Sequence, residues 1–544
     1  MNKQLILAAL VLAIESIASG EVGPAAVMQR LEEPMRCWTN AAGRVVWDFG
    51  RDAFGNARVT GNGERVTGNG EIWLGEKLTD DGDAIDRNPP GSVRASKWPL
   101  KPDKRNTGKN AVKMPPELGV VMPFRYAETE PSVKPSRVMM ARPMDMEASS
   151  FRCSDERLNK VYDFCKYTIL ATSFAGLYVD GDRERIPYEA DAYINMLGEQ
   201  AVWADGAMAK ASLLYLLEHP TWPTEWQLIM PIMAHGYWMA TGDLGPIREN
   251  YARLKTLLQL DKARESDGLL DTHRKKGMPR TSGSDIVDWP ACERDGYEMK
   301  HVNTVVNAFH IKALRDMSAL AAAIGEMEDA GNFKREAEAK TAVFRKVFID
   351  GETHIVRDGE GSRHASLHAN AAALAFGLIE PGTAKLVADY LKTRGMACSA
   401  YFAQYLLEGL FKAGAADYAL DLMTRDDNRS WLGMMRAGAT MCMESWNQQV
   451  KPNQDWGHAW STAPLNIVSR FVLGVTLLEP GAAKVRIAPD LCGMDFIEGA
   501  VPTLAGGVKV KATKDALSIE TPVPARVIWR GKTHEVLAGR FEFR

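Results

Sequence analysis

Two stretches of the chain concentrate the side chains that acid–base chemistry needs. The first is Tyr178-Val179-Asp180-Gly181-Asp182-Arg183-Glu184-Arg185-Ile186-Pro187-Tyr188-Glu189-Ala190-Asp191-Ala192-Tyr193-Ile194-Asn195. Carboxyl groups alternate here with guanidinium groups, an arrangement that can strongly tune the charge of a loop carboxyl. Pro187 suits the first turn of a helix, and acids gather at helix starts. Asp180 to Arg185 therefore reads as a loop, and Asp191 and Asn195 share one face of the helix that follows. The plainer reading is a solvated charge run at a helix start; the apolar sequence on both sides weighs against it.

The second stretch comes some 260 residues later: Gly438-Ala439-Thr440-Met441-Cys442-Met443-Glu444-Ser445-Trp446-Asn447. Glu444 is a lone carboxylate among apolar neighbours. Burying it is costly, so it needs a partner or a task, and a backbone or arginine partner would serve as well as a catalytic role. Asp455-Trp456-Gly457-His458-Ala459-Trp460-Ser461 follows closely, with His458 readable either as a site residue or as a core or capping histidine. Hydrolysis of a glycosidic bond uses two carboxyl groups, one to protonate the leaving oxygen and one to activate water or attack the anomeric carbon. Residue context selects Glu184 and Glu444 as that pair. The 14 tryptophans either fill cores or offer flat platforms for sugar rings.

These side chains need a frame. Residues 36 to 148 read as strands and loops, with Val45-Val46-Trp47-Asp48-Phe49 and Glu71-Ile72-Trp73-Leu74 as short apolar runs. The segment Arg58–Glu64 is repeated at once as Arg65–Glu71, a local duplication that lengthens a hairpin loop. From about residue 152 the period becomes helical: Leu158, Val161, Tyr162, Cys165 and Ile169, with further stripes around 190–217, 225–241, 245–260, 301–325, 329–348, 366–378, 382–393, 398–413, 414–424 and 459–475. Sequential helices without a fixed repeat point to a bundle or a closed toroid rather than a solenoid. After Leu478-Glu479-Pro480-Gly481 alternation returns, as in Lys484-Val485-Arg486-Ile487 and Leu517-Ser518-Ile519-Glu520, which fits a small β-sandwich.

At 544 residues the chain is too long for one core. A formal charge of −3 argues against a nucleic-acid partner. Lys3, the apolar run Leu5 to Ile14 and the small residues Ala18-Ser19-Gly20 have the three parts of a secretory signal, so an exported, periplasmic or secreted protein is expected. The apolar run is about half of what a membrane span needs. The seven cysteines include no CxxC pair, and no disulfide or metal site is legible, although scattered oxygens could hold a structural calcium ion. No cofactor is expected.

The two motif regions together resemble the α-L-rhamnosidases of glycoside hydrolase family 78, members of the six-hairpin glycosidase superfamily. Arg183-Glu184-Arg185 with Asp191 seven residues after the glutamate matches the family's acidic motif. Gly438-Ala439-Thr440-Met441-Cys442-Met443-Glu444-Ser445-Trp446 matches its Gly-Ala-Thr-Thr-x-x-Glu-x-Trp block, with Met441 replacing the second threonine. The resemblance implies a mainly α chain with flanking β: an (α/α)6 barrel catalytic domain (149–478) between an N-terminal β-sandwich-like domain (21–148) and a small C-terminal β-sandwich (479–544), after a signal peptide (1–20). It also implies exo-acting release of terminal α-L-rhamnose with inversion. Glu184 would be the general acid and Glu444 the general base, while Asp180, Arg183, Asp191, Trp289, Trp446 and His458 would bind substrate. Two other readings use the same residues: another (α/α)6-barrel carbohydrate enzyme, such as a uronyl hydrolase or a lyase using His458 or Tyr188 as base, or a non-catalytic glycan-binding protein.

Overall fold

The helical stripes fold into rods whose order in space closes on itself. In the computed structural model, which describes residues 24–60, 71–102, 105, 108, 110–114, 116–272 and 285–544, helices Glu189–Val202, Thr224–Thr241, Thr304–Ile324, Leu367–Ala375, Ala403–Lys412 and Ala463–Ile467 touch one another in that order, and the last returns to the first. Each is preceded in the chain by an outer partner: Glu156–Ala171, Ala207–Glu218, Gly245–Glu249 with Tyr251–Thr256, Met327–Phe348, Ala384–Arg394, and Ala416–Thr424 with Trp431–Arg436. Six helical hairpins thus form an (α/α)6 barrel among the described residues. The export signal read in residues 1–20 and most of the duplicated segment lie outside the described residues.

Composition separates the two rings. Leu367–Ala375 buries all nine of its residues, five of them alanine, whereas Met327–Phe348 buries seven of 22, spaced along one face. Small residues let inner helices approach closely: a Cβ on Gly409 would stand 3.0 Å from the carbonyl oxygen of Ala371. The stripe at 190–217 is two helices rather than one. Gly206 takes a left-handed φ of 68° and the Asp205 carboxylate accepts from the Ala207 amide at 3.0 Å, which ends one helix and starts the next. The stripe at 459–475 is also shorter as a helix than expected, because Val475–Glu479 is already a strand, paired with Lys484–Ile487.

The C-terminal region holds a four-stranded and a five-stranded sheet whose buried side chains join the barrel core. Its five-stranded sheet includes Ser150–Cys153, paired with Phe496–Thr503, so the residues just before the first helix tie both ends of the helical region together. The N-terminal region is one seven-stranded antiparallel sheet. Its longest strand, Val45–Thr60, runs beside Met122–Thr129, is irregular between Asp48 and Ala53, and then pairs with Lys134–Ala141. Beyond that irregularity Phe54 stacks on Phe174 at 3.8 Å, and the Asp52 amide donates to Thr440 Oγ1 at 2.7 Å. The sheet therefore braces both chemistry-bearing stretches.

One ion cluster dominates that brace. Asp182, fully buried, accepts from Arg94 of the β region and from Arg185. Burial alone would raise its pKa, but the two guanidinium groups hold it down at about 2. Removing one partner of a buried pair leaves a charge uncompensated. Arg94→Met should therefore lower the unfolding free energy by about 3 kcal/mol at pH 7, read from the urea midpoint. Because the lowered pKa stabilises above about 3.8 and is lost as pH falls through about 2, the gap between wild type and variant should narrow over that interval.

Candidate active site

The acidic loop divides its charged residues between two directions. Gly181 has φ 108° and Arg185 φ 54°. With these two twists Asp182 and Arg185 enter the brace, while Asp180, Arg183 and Glu184 line a cavity of about 330 Å³. A side chain on Gly181 would meet Asp455 and His458 at about 3.0 Å, so glycine also permits the close approach here. The next helix begins at Glu189, two residues beyond Pro187, and Asp191 in its first turn faces the same cavity.

Glu444 reaches the cavity from the other stretch. Met443 bridges to Trp456 across a short antiparallel ribbon, the Glu444 amide donates to the Asp455 carbonyl at 3.2 Å, and the His458 amide donates to the Cys442 carbonyl at 2.8 Å. Met441, at the position where the resemblance has threonine, is fully buried in the cluster with Phe54 and Phe174.

The Arg183 guanidinium joins the two stretches. Its Nη1 donates to Glu184 Oε1, its Nη2 to Glu444 Oε1 at 3.0 Å, and its backbone amide to Asp455 Oδ2 at 2.8 Å. Tyr188 OH donates to Glu184 Oε2 at 3.0 Å. Lys451 Nζ donates to Glu444 Oε1, so that oxygen takes two cationic donors, whereas Oε2 accepts from the Asp455 amide at 3.3 Å. The side chain of Glu184 is 34% exposed and that of Glu444 only 3%: one carboxyl stands toward the opening and the other at the floor.

His458 completes the floor. Its Nε2 lies 2.9 Å from Asp191 Oδ1 and its Nδ1 3.4 Å from Asp455 Oδ1. Burial pulls its pKa down, but the bonds to Asp191 and Asp455, with the charges of Asp191 and Glu444, outweigh this and raise it to about 10. Burial pushes Asp180 well above the usual carboxylate range; the charges of Asp191, Glu184 and Asp455 add to this, while His458 opposes. Asp191 is raised as well, by burial, with His458 offsetting part of it.

Glu444, Asp455 and His458 offer ligand atoms within 4.8 Å of one another, which is a spacing that could hold a metal ion. His458 already bonds Asp191 and Asp455, and Lys451 and Arg183 bring positive charge to Glu444. The three residues are joined by hydrogen bonds in this structure.

Of the residues singled out in the sequence, Glu184, Glu444, Asp180, Arg183, Asp191, Trp289 and His458 all line this cavity. Trp446 does not. Its indole is buried edge-on against Trp431 at 5.1 Å and donates to the Cys398 carbonyl at 2.7 Å, so it supports the wall from behind. Lys451, Trp222 and Trp226 also line the cavity and had no legible signal in the sequence. Tyr188, named in the sequence only as a possible lyase base, lines the cavity as well and donates to Glu184.

Comparison with known proteins adds to this geometry. A family model described as the bacterial α-L-rhamnosidase six-hairpin glycosidase domain matches residues 146–472, more than half of the chain. Among solved structures, the α-L-rhamnosidase of Streptomyces avermitilis complexed with L-rhamnose is similar with a TM-score of 0.75 at 16% identity, covering 96% of this chain and 54% of that one. The enzymes of Aspergillus terreus and Dictyoglumus thermophilum give TM-scores of 0.74 and 0.73, each at 16% identity and covering 96% of this chain and 64% of theirs. The chain thus spans less than two thirds of the length of all three, and at such identities the likeness is one of fold. No curated protein matches the chain in sequence.

The raised pKa of His458 has a measurable consequence. Its contribution to stability is complete below about pH 6.5, where folded and unfolded states both carry the proton, and fades as pH rises to about 10. The stability difference between wild type and His458→Asn, taken from urea unfolding at a series of pH values, should shrink across that window. A difference that stays constant from pH 6 to 10 would contradict the paired imidazolium.

Proposed function

The chain belongs to the bacterial α-L-rhamnosidase six-hairpin glycosidase family, and from that premise we propose that it is an exo-acting glycoside hydrolase releasing terminal α-L-rhamnose. The observation that carries this reading is the bonding of Glu184 and Glu444, some 260 residues apart, to one guanidinium in one cavity.

Exposure supports the assignment of roles. In a closed-ended pocket the terminal sugar fills the floor and its leaving group points outward. Glu184, the more exposed carboxyl, is placed to protonate the glycosidic oxygen; Glu444 is placed to take a proton from water at the floor. Glu444 Oε1 is occupied by Arg183 and Lys451, so Oε2 is the atom that accepts that proton. As the bond to the leaving group breaks, water adds to the opposite face of the anomeric carbon, its proton passes to Glu444, and the proton of Glu184 goes with the leaving oxygen. Asp180, Asp191 and His458 supply fixed polar groups for the ring hydroxyls, and Arg183 holds both carboxyls in register. No metal or cofactor enters these steps. A cavity of about 330 Å³ is near the lower end of small-molecule sites, which suits one terminal sugar better than the middle of a chain. Export, read from residues 1–20, belongs to the same proposal; among the described residues no helix is long and apolar enough to cross a membrane.

Elimination is the less favoured chemistry. A lyase base must accept a proton, but the Tyr188 hydroxyl donates to Glu184 with its pKa raised chiefly by burial, and His458 is bonded between two carboxyls that raise its own.

Hydrolysis of p-nitrophenyl and methyl α-L-rhamnosides tests the roles directly. Glu184→Gln and Glu444→Gln should each lower kcat by about 10²- to 10⁴-fold. The loss at Glu184 should be smaller for p-nitrophenol, which leaves without protonation, than for methanol; the loss at Glu444 should be alike for both. Proton NMR should show β-L-rhamnose as the first anomer formed. An α anomer first would replace inversion by a retaining mechanism.

A further inference from the structure

Among the 14 tryptophans only Trp222 and Trp289 are exposed, at 59% and 40%, and both line the same cavity. Exposed indoles cost free energy unless something covers them. The loops that carry them are tied down by buried carboxylates. The backbone of the loop bearing Trp222 is fixed by Glu189, which is fully buried and accepts from the Thr221 amide at 2.7 Å and from the Thr221 hydroxyl; Gln227 donates to the Thr221 carbonyl at 2.6 Å. The fully buried Asp288 holds the loop bearing Trp289, accepting from the Trp289 amide and the Ser399 amide at 2.8 Å and from His368 at 2.7 Å. The two loops are also joined. Glu225, in the first turn of the helix that follows Trp222, accepts from the amides of Ile286 and Val287, just before Trp289.

Exposed apolar rings on clamped loops are preorganised surfaces, because little conformational entropy is left to lose when a ligand lands on them. The buried polar groups at the floor, Asp180, Asp191 and His458, account for the terminal sugar. The exposed indoles line the same cavity as Glu184 and are more open to solvent than it is, as groups on the leaving-group side would be. We propose that Trp222, beside Trp289, forms a subsite for the first group on the leaving side of the scissile bond, and that this group presents a flat apolar face. An aromatic ring has such a face, and so does the C–H side of a pyranose. The inference rests on the hydrolytic reading of Glu184 and Glu444. It adds that Trp222 sets which glycosides are taken.

Three substrates test it: methyl α-L-rhamnoside, which lacks a flat group; p-nitrophenyl α-L-rhamnoside; and an α-L-rhamnosyl-glucose disaccharide. For Trp222→Ala, KM should rise about tenfold for at least one of the two substrates with flat groups, while kcat stays within about twofold. kcat/KM for the methyl glycoside should stay within about twofold, and Trp222→Phe should restore most of the loss. The larger loss identifies the preferred group as aromatic or saccharide. Equal losses on all three substrates, or none on either flat one, would overturn the subsite. Calorimetric titration of Glu184→Gln, with and without Trp222→Ala, reads the same subsite without turnover: affinity for a flat-group glycoside should fall about tenfold and affinity for the methyl glycoside should hold. A wild type that binds in this pattern yet releases no rhamnose would defeat the hydrolase reading alone, whereas affinities unchanged by Trp222→Ala would defeat the subsite.

Discussion

The site depends on one guanidinium placed between two carboxyls. Arg183 donates to Glu184 and Glu444 at once, and its own amide is held by Asp455, which in turn faces His458. Several carboxyl groups share one largely buried space, and a cluster of like charges persists there only if cations or protons balance them. Arg183, Lys451 and His458 supply the cations. Asp180, raised by burial, supplies the protonatable remainder. The same balance that makes the cluster tolerable keeps Glu184 and Glu444 in the lining of one cavity.

That balance demands a frame able to hold loops to within a fraction of an ångström. The inner helix ring brings residue 191 and residue 458 together, because the last inner helix packs on the first. It does not position the acidic loop by itself. Asp182 and Arg185 point away from the cavity, to Arg94 and over the Phe174 ring at 5.0 Å, and Phe174 stacks in turn on Phe54 of the N-terminal sheet. The β region is therefore part of the active-site support, although it contributes none of the proposed acid–base groups.

Much of this was legible in the sequence, and the illegible parts have physical reasons. Helical periodicity marks which face of a segment is apolar, but in a double ring both inner and outer helices have apolar faces, so closure onto Glu189–Val202 is a tertiary fact. Glu444 stood out because a carboxylate in apolar sequence needs a partner, and Glu184 because two arginines flank it; the partner proved to be shared. Trp446 misled for a related reason: a tryptophan two residues from a catalytic candidate looks like a sugar platform, whereas its N–H found the Cys398 carbonyl within the wall. Lys451 sits in an unremarkable polar loop, and only the fold brings its ammonium to Glu444. The strand Ser150–Cys153 was hidden because four residues carry too short an alternation to distinguish from the start of a helix.

The twisted backbone at Arg185 shows how these constraints combine. A positive φ at a residue with a long side chain is unfavourable unless surrounding contacts compensate. Here the compensation is visible: Arg185 bonds Asp182 and the Val121 carbonyl, and its own carbonyl accepts from the Val112 amide at 2.9 Å. With that twist, consecutive charged residues serve opposite sides of the loop, Arg185 anchoring and Glu184 facing the cavity. Without the anchoring side Glu184 would sit on a mobile charge run, which is the bland reading its sequence allows. The placement of the loop is thus inseparable from the sheet beneath it, and a six-hairpin barrel alone would close its ring while leaving Glu184 unplaced.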